Sequence, residues 1–200
     1  MTADELRTRL ARVAAWPPDP GAEHGDDIRA ALQRPLTPAA VLVPIVLSEM
    51  PGVLLTKRTS HLKAHAGQVS FPGGRIDPED NGPEDAALRE AWEEIGLHRQ
   101  SVEILGRLAD YATGTGYRIT PILSILPPGL TYQPSEDEVE AVFELPMTVL
   151  LDPEAPRRQR QHVRGEWREY WVWPHPDHYI WGATAAILVH LAQRLRQGRP

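Results

Sequence analysis

Apolar side chains recur every three or four residues in two stretches, one near each end of the chain, which is the spacing of one helix face. The first stretch covers residues 3–15 and stops before Pro17-Pro18, which cannot continue a helix. The second runs from about Ala183 to Arg196. Each predicted helix therefore has one face to bury against another layer. The positions predicted to face a core are Leu6, Leu10 and Val13 in the first helix and Ile187, Leu188, Leu191 and Leu195 in the second.

Most apolar runs between these helices have the length and the β-branched content of strands. Residues 39–47 are too uniformly apolar for an edge strand, so we predict a buried strand with Pro44 at a bulge. Residues 138–145 alternate between polar and apolar and predict a half-buried strand. Further strands are predicted at residues 53–58, 102–111, 117–126, 167–173 and 178–181, with a turn at Gly114 joining the second and third of these. Strands on both sides of a central helix, followed by a terminal helix, predict an α+β sandwich.

The segment ahead of the first predicted strand is expected to form a helical extension over residues 1–35 that caps the fold. Residues 19–27 are acidic and contain glycine, so they predict a loop, and a short helix is predicted up to Gln33. An arm that binds a partner is the alternative interpretation. The chain has no repeat or low-complexity tract, so residues 1–200 are predicted to form one domain.

A glycine pair followed by an acidic helix occupies residues 67–97. The pair, Gly73-Gly74, follows an apolar run, and Pro83 suits the first turn of a helix because its missing N–H is no loss there. Gly96 is placed where a helix ends in a left-handed cap. The stripe predicted to face the core consists of Ala87, Leu88, Ala91 and Ile95, and the glutamates of the helix are predicted to lie off it.

Three of those glutamates repel one another. Glu90 is one turn away from both Glu93 and Glu94, and the last turn of a helix disfavours negative charge. Arg89 is expected to relieve part of the repulsion by pairing with Glu93. Clustered carboxylates suit a hard divalent cation such as Mg²⁺ or Mn²⁺. A solvated acidic face is the alternative.

Composition excludes several classes of protein. The chain has 200 residues, a net charge of −6 and no cysteine, which excludes disulfides, thiolate metal sites and a cysteine nucleophile. An acidic chain is not expected to bind nucleic acid. Its apolar runs are shorter than the roughly 18 residues of a membrane span, and its start lacks the apolar core of a signal peptide, so we expect no membrane association and a cytoplasmic location. Twenty prolines argue against a helical bundle.

The motif GG…REAWEEIGL resembles the Nudix box, Gly-x5-Glu-x7-Arg-Glu-U-x-Glu-Glu-x-Gly-U, in which U is a bulky apolar residue. Asp80 stands at the place of the first glutamate, with one extra residue before Arg89, and Ala91 is small where a bulky residue is usual. The resemblance implies a Nudix-type α/β/α sandwich with a mixed sheet, carrying the box helix and a C-terminal helix.

Residues 54–74 resemble a narrower signature, LLTxR[SA]xxxRxxxGxxxFPGG, of the coenzyme A pyrophosphatase branch of Nudix hydrolases. Thr59 and Lys63 depart from it, whereas Asp80 with the longer spacing is usual in that branch. The segment IWGATA near the C-terminus is also similar to the branch, and its Thr184 is expected to cap the last helix or pack within it. The resemblance implies metal-dependent hydrolysis of the diphosphate of coenzyme A or its acyl derivatives.

The resemblance also implies roles for individual residues. Glu90 and Glu94 would be the principal metal ligands, Glu93 would bind the metal directly or through water, and the backbone carbonyl of Gly73 would face the ion. Arg89 would orient a glutamate. The catalytic base stays open between Glu93, Glu90 and Glu138, with Glu136 and Glu140 competing with the last of these.

A basic run precedes the box and suits a ligand with several phosphates. Arg58 and Lys63 match the narrower signature and are the first candidates for phosphate contacts. The other members of the run are Lys57, His61 and His65. A solvated basic loop is the alternative. The expected partner is a small-molecule substrate, and the sequence leaves monomer and homodimer open. The rival functions are hydrolysis of another nucleoside diphosphate, such as ADP-ribose, NADH or a dinucleotide, and a non-catalytic Nudix-fold nucleotide sensor.

Overall fold

The computed structural model describes residues 2–16, 23–24, 35–61, 65–163 and 166–197. The helices are α1 (Ala3–Ala15), α2 (Pro83–Ile95), α3 (Met147–Leu150) and α4 (Gly182–Gln197). The strands are β1 (Glu23–His24), β2 (Thr37–Val46), β3 (Gly52–Arg58), β4 (Val69–Ser70), β5 (Gly73–Arg75), β6 (Glu103–Arg107), β7 (Tyr111–Ala112), β8 (Tyr117–Leu126), β9 (Val139–Pro146), β10 (Arg157–Val163), β11 (Glu166–Trp173) and β12 (Ile180–Trp181). No helix in these ranges is both long and apolar enough to cross a membrane.

Strand β2 is the centre of the larger sheet, and its two edges have different neighbours. One edge pairs with β8 in parallel along its whole length. On the other edge, residues 39–41 pair with β5 and residues 45–46 pair with β3, both antiparallel. Strands β2 and β3 therefore diverge, and the segment from β4 to β5 fills the gap, with β4 on β3 and β5 on β2. This gap holds the glycine pair.

The remaining strands extend the mixed sheet on both sides. Its strand order is β1-β7-β8-β2-β3-β4, with β6 also paired to β8 and β9 to β3. Strands β10, β11 and β12 form a second, antiparallel sheet. The parallel pairs are β1 with β7 and β2 with β8, and the other pairs of the larger sheet are antiparallel among the described residues.

Helices cover both faces of the larger sheet. Leu42 of β2 belongs to the same buried cluster as Ala91 of α2. Val43, the next residue, faces the other way and belongs to a cluster with Leu10 of α1 and Leu188 of α4. Successive side chains of a strand point to opposite faces, so the two clusters lie on opposite sides of the sheet. The arrangement is the α/β/α sandwich that the sequence predicts.

Helix α2 begins and ends where the sequence predicts. Pro83 is its first residue, and Gly96 follows it with a φ of 66° and donates its N–H to the last turn. The four predicted core positions are all buried. One prediction is wrong, because Glu94 is buried beside them instead of lying off the stripe. The chain therefore places an ionisable side chain inside the layer between α2 and the sheet.

Two local predictions are also wrong. Pro44 is not at a bulge, since its register with Ser124 of β8 is continuous. It lies where β2 has left β5 and has not yet met β3, on the edge where Leu42 donates its N–H to Pro72. A proline is tolerated there because no neighbouring strand requires its missing N–H. The strand predicted at 178–181 is only Ile180–Trp181.

Two segments were assigned to the wrong class or missed. Glu23–His24 falls in the predicted loop but pairs in parallel with β7. Strand β10 was not predicted, because its residues, Arg157–Val163, are almost all polar. The guanidinium of Arg158 lies over the ring of Trp171 in β11, 4.7 Å from its centre. Arginine stems covering aromatic rings give a strand without apolar alternation. The short helix predicted up to Gln33 lies outside the described residues.

Candidate active site

The glycine pair and helix α2 bring two carboxylates together at the gap between β2 and β3. Glu94 is 2% exposed, and its Oε2 accepts a hydrogen bond from the backbone N–H of Gly73 at 3.2 Å. Its other oxygen accepts from Nη1 of Arg58 at 3.2 Å. Glu90 lies directly over Gly74, because a methyl group added at Gly74 would be 2.5 Å from Oε1 of Glu90. The absence of a side chain at Gly74 is therefore what gives the Glu90 carboxylate its place.

Burial dominates the electrostatics of both carboxylates. It raises the pKa of Glu94 to about 8, even though the Gly73 N–H and the charge of Arg58 act in the opposite direction. Burial also raises the pKa of Glu90, against the hydrogen bond from Arg89. The raised pKa values mean that burial disfavours the ionised carboxylates more than Arg58 and Arg89 favour them. A bound divalent cation would add positive charge and favour the ionised form.

These residues fit a hard divalent cation. Glu90, Glu94 and the backbone carbonyl of Gly73 offer oxygen atoms only, which are the donors that Mg²⁺ and Mn²⁺ prefer. Mg²⁺ usually keeps several waters, so two carboxylates and a carbonyl suffice. In the part of the chain that the structure describes, no three acidic or histidine side chains converge to hold a metal. Glu93 stands apart, since its side chain is 54% exposed and bound to Arg89.

Arg89 is saturated by protein groups. Its Nε and Nη2 donate to the two carboxylate oxygens of Asp80, both at 3.0 Å. Its Nη1 donates to Glu90 and to Glu93, both at 3.0 Å, which confirms the predicted pairing one turn apart. Nη2 also reaches the carbonyl oxygen of Arg75 at 3.2 Å. Arg89 therefore ties the loop after the glycine pair to α2 and orients Glu90.

We expect Asp80→Asn to lower the free energy of unfolding at pH 7 by about 2 kcal/mol, a typical value for hydrogen bonds to a charged group. Arg89 holds the pKa of Asp80 below its ordinary value of 3.8. This contribution is complete above that pH and is lost as the pH falls through the folded-state pKa. Urea unfolding of both proteins should therefore give a difference at neutral pH that shrinks below pH 3.8. An equal difference at both pH values would contradict this assignment.

The basic run is divided between the two faces of the sheet. Arg58, at the end of β3, points towards α2 and contacts Glu94. Lys57 precedes it on the opposite face, where its Nζ is 2.7 Å from Glu140. Strand β9 carries an extra residue here, because Lys57 is opposite Ala141 while Arg58 is opposite Val139. The structure thus brings Arg58 to the candidate site but not Lys57.

Of the other predicted ligand-binding residues, His65 lies between β3 and β4. His65 has a φ of 56°, and its Nδ1 is 2.8 Å from Oε1 of Gln68, so it stabilises this loop. Lys63 lies outside the described residues. No role was predicted for Gly74, the second glycine of the pair. The pairing of a glycine with a helical carboxylate across two elements is visible only in three dimensions.

Glu138 reaches the site because the segment before β9 binds the end of α2. Gln133 donates its backbone N–H to the carbonyl of Ile95 at 2.9 Å, and Ser135 donates to the carbonyl of Glu94 at 2.8 Å. These bonds satisfy carbonyls that a helix end leaves free. The carboxylate of Glu138 is consequently 3.8 Å from Arg58, with its side chain 48% exposed. Glu138 therefore lies beside Arg58 and remains open to solvent.

Comparisons with known proteins identify the family of the chain. The model of the NUDIX domain matches residues 36–181. The chain is 45% identical over 157 residues to the uncharacterized Nudix hydrolase NudL of Escherichia fergusonii, covering 78% of this chain and 82% of that protein. NudL of Escherichia coli K12 is 44% identical over the same lengths.

A solved structure shares the fold. The crystal structure of a MutT/nudix family protein from Enterococcus faecalis aligns with 98% of this chain and 70% of its own, with a TM-score of 0.50 and 15% identity. This similarity supports the architecture alone. The domain match and the identity to the NudL proteins show that the chain belongs to the Nudix family.

Proposed function

We propose that the protein hydrolyses the diphosphate of coenzyme A or acyl-coenzyme A, giving 3′,5′-ADP and phosphopantetheine or its acyl form, with Mg²⁺ or Mn²⁺ as cofactor. The observation that carries the proposal is the pair of carboxylates formed by buried Glu94 and half-buried Glu90, beside Gly73 and Arg58. The resemblance of residues 54–74 to the coenzyme A pyrophosphatase signature supports the choice of substrate.

The proposed reaction is attack by water on one phosphorus of the diphosphate. Glu90, Glu94 and the Gly73 carbonyl would hold a divalent cation, which would neutralise negative charge on the phosphates when bound. The water oxygen forms the new P–O bond, and the bridging P–O bond breaks with its electron pair on the leaving phosphate. The water proton passes to a carboxylate. Arg58 would orient Glu94 and offers its guanidinium to a phosphate oxygen.

We assign the proton transfer to Glu138. Its carboxylate is half exposed, so a water molecule can reach it, and it lies on the Arg58 side of the site. Glu90 competes less well because the proposed metal ion would occupy its carboxylate, and Glu93 because its carboxylate is bound to Arg89. Glu140 pairs with Lys57 on the other face of the sheet. Among the described residues, Glu136 forms no ion pair with Arg58 and accepts no hydrogen bond from Arg89.

We expect the protein, with Mg²⁺ or Mn²⁺, to cleave coenzyme A faster than dephospho-coenzyme A, ADP-ribose or NADH. The preference follows if cationic groups of the loop after β3 bind the 3′-phosphate, which the other three ligands lack. Release of 3′,5′-ADP from coenzyme A, and of 5′-AMP from the other three ligands, should be followed at equal ligand concentration. Cleavage of ADP-ribose or NADH instead would be consistent with the proposed metal site but would contradict the proposal that coenzyme A is the substrate. Binding without cleavage of any ligand would favour a nucleotide sensor.

A further inference from the structure

Two threonine hydroxyl groups hold the short strand β4 from opposite faces of the sheet. Thr184 of α4 donates to the carbonyl oxygen of Val69 at 3.1 Å, a buried hydrogen bond. Thr56 of β3 is completely buried and donates to the carbonyl oxygen of Ser70 at 3.2 Å. Helix α4 lies on the face opposite to α2, whereas Thr56 alternates with Lys57 and therefore lies on the α2 face. Neither hydroxyl takes part in the proposed chemistry.

The residues that follow β4 carry this constraint to the active site. The carbonyl of Pro72 accepts a hydrogen bond from the N–H of Leu42 at 2.8 Å. The next residue, Gly73, donates its own N–H to Glu94. Gly73 has a φ of 149°, and a methyl group there would be 2.6 Å from Cα of Val41, so its backbone is pressed against β2. Val69 is four residues before Gly73. A displacement of Val69 would therefore also move the Gly73 N–H, which fixes Glu94.

We propose that Thr184 and Thr56 are positioning residues, which hold β4 so that the backbone of Gly73 and the carboxylate of Glu94 have the geometry of the metal site. This inference rests on the proposed function, in which those two groups bind a divalent cation. It also gives a structural role to Thr184, which was expected to act only within its own helix. Groups that orient metal ligands typically change metal affinity by 10–100-fold when removed.

The test compares Thr184→Val, which keeps the shape of the side chain but loses the donor, with Thr184→Ser, which keeps the donor. Mn²⁺ binding should be measured by electron paramagnetic resonance in the absence of substrate. We expect the Kd for Mn²⁺ to rise about tenfold or more in Thr184→Val and to return to within about threefold of the wild-type value in Thr184→Ser. Thr56→Val tests the other face and should weaken Mn²⁺ binding in the same direction. Thr56→Val also provides the test of the inference if Thr184→Val does not fold.

The matched control is Thr120→Val. It removes a hydroxyl group that donates to Asp110 at 2.8 Å, on β8 and away from β4. It should lose stability and keep the wild-type affinity for Mn²⁺. Hydrogen exchange at the Gly73 amide supplies a second measurement, and it should be faster in Thr184→Val than in Thr184→Ser or Thr120→Val.

The outcomes distinguish failure of this inference from failure of the proposed function. Wild-type Mn²⁺ affinity in Thr184→Val and Thr56→Val would overturn the positioning role. A loss in Thr184→Val that Thr184→Ser does not restore would do the same for Thr184, because shape and not the hydroxyl would then matter. A wild-type protein that does not bind Mn²⁺ would overturn the proposed function, and this inference with it. Mn²⁺ binding without cleavage of coenzyme A would overturn the substrate alone.

Discussion

Glu94→Gln should reduce hydrolysis by at least about 10³-fold, because a metal-bound site supplies several kcal/mol of charge stabilisation that a neutral amide cannot support. The substitution preserves the acceptor for the Gly73 N–H and the volume of the buried side chain. The main change is the loss of negative charge at the centre of the site. The rate of coenzyme A cleavage under saturating Mg²⁺ is the direct measurement.

Stability should respond differently. Without metal, burial raises the pKa of Glu94 to about 8, so at pH 7 its carboxyl group is mostly protonated and glutamine is a close substitute. We expect the metal-free variant to unfold within about 1 kcal/mol of the wild type. Metal at about 100 times its Kd should stabilise the wild type by about 2.7 kcal/mol and leave the variant unchanged. Thermal unfolding with and without Mn²⁺ measures both quantities.

Glu84→Gln is the matched control. Glu84 is in the first turn of the same helix and pairs with Arg107 at the surface, far along α2 from Glu94. The same chemical change there should leave hydrolysis and the effect of Mn²⁺ on unfolding as in the wild type. A Glu94→Gln protein that retained activity would show that the buried carboxylate is structural, and the metal site would have to be assigned elsewhere.

Local sequence signals were sufficient for helix α2 and for much of the sheet. Pro83 and Gly96 define the ends of α2, and helical spacing defined its buried stripe. The same reasoning failed at Glu94, because periodicity assigns charged residues to solvent and cannot detect a neighbouring arginine from another element. Arg58 and the Gly73 N–H, which make this burial tolerable, come from 36 and 21 residues away along the chain.

The basic run shows a second limit of sequence reasoning. Lys57 and Arg58 are adjacent in the sequence and were predicted to bind the ligand together. Both belong to β3, and consecutive side chains of a strand face opposite sides of the sheet. The predicted strand over residues 53–58 already contained both residues, so alternation alone could have separated Lys57 from Arg58. Pro44 is different, because the divergence of β2 and β3 depends on where β4 and β5 insert. No local signal in β2 indicates that divergence.

Alanine substitutions at the two glycines of the motif should differ in effect. Gly73→Ala should mainly lower stability, and Gly74→Ala should mainly lower activity. Gly73→Ala places a methyl group against the backbone of β2, overlapping the carbonyl oxygen of Ala40, at a φ of 149° that other residues rarely adopt. Strain and overpacking together should lower the free energy of unfolding by about 3 kcal/mol. Gly74→Ala meets only the end of a flexible side chain, that of Glu90. It should cost about 1 kcal/mol or less and reduce hydrolysis by about 100-fold, because Glu90 is displaced.

Gly129→Ala separates backbone strain from crowding. Gly129 has a φ of 79°, and a methyl group there would meet nothing within 4 Å, so its cost is that of the backbone conformation alone. Urea unfolding should rank Gly73→Ala as clearly less stable than Gly129→Ala, whereas Gly74→Ala should lose activity while keeping a stability close to that of Gly129→Ala. If Gly73→Ala lost no more stability than Gly129→Ala, the segment between β2 and β3 would have room to move. In that case the close packing of Gly73 against β2 would not fix Glu94. The hydrogen bond from the Gly73 N–H would have to hold the Glu94 carboxylate by itself.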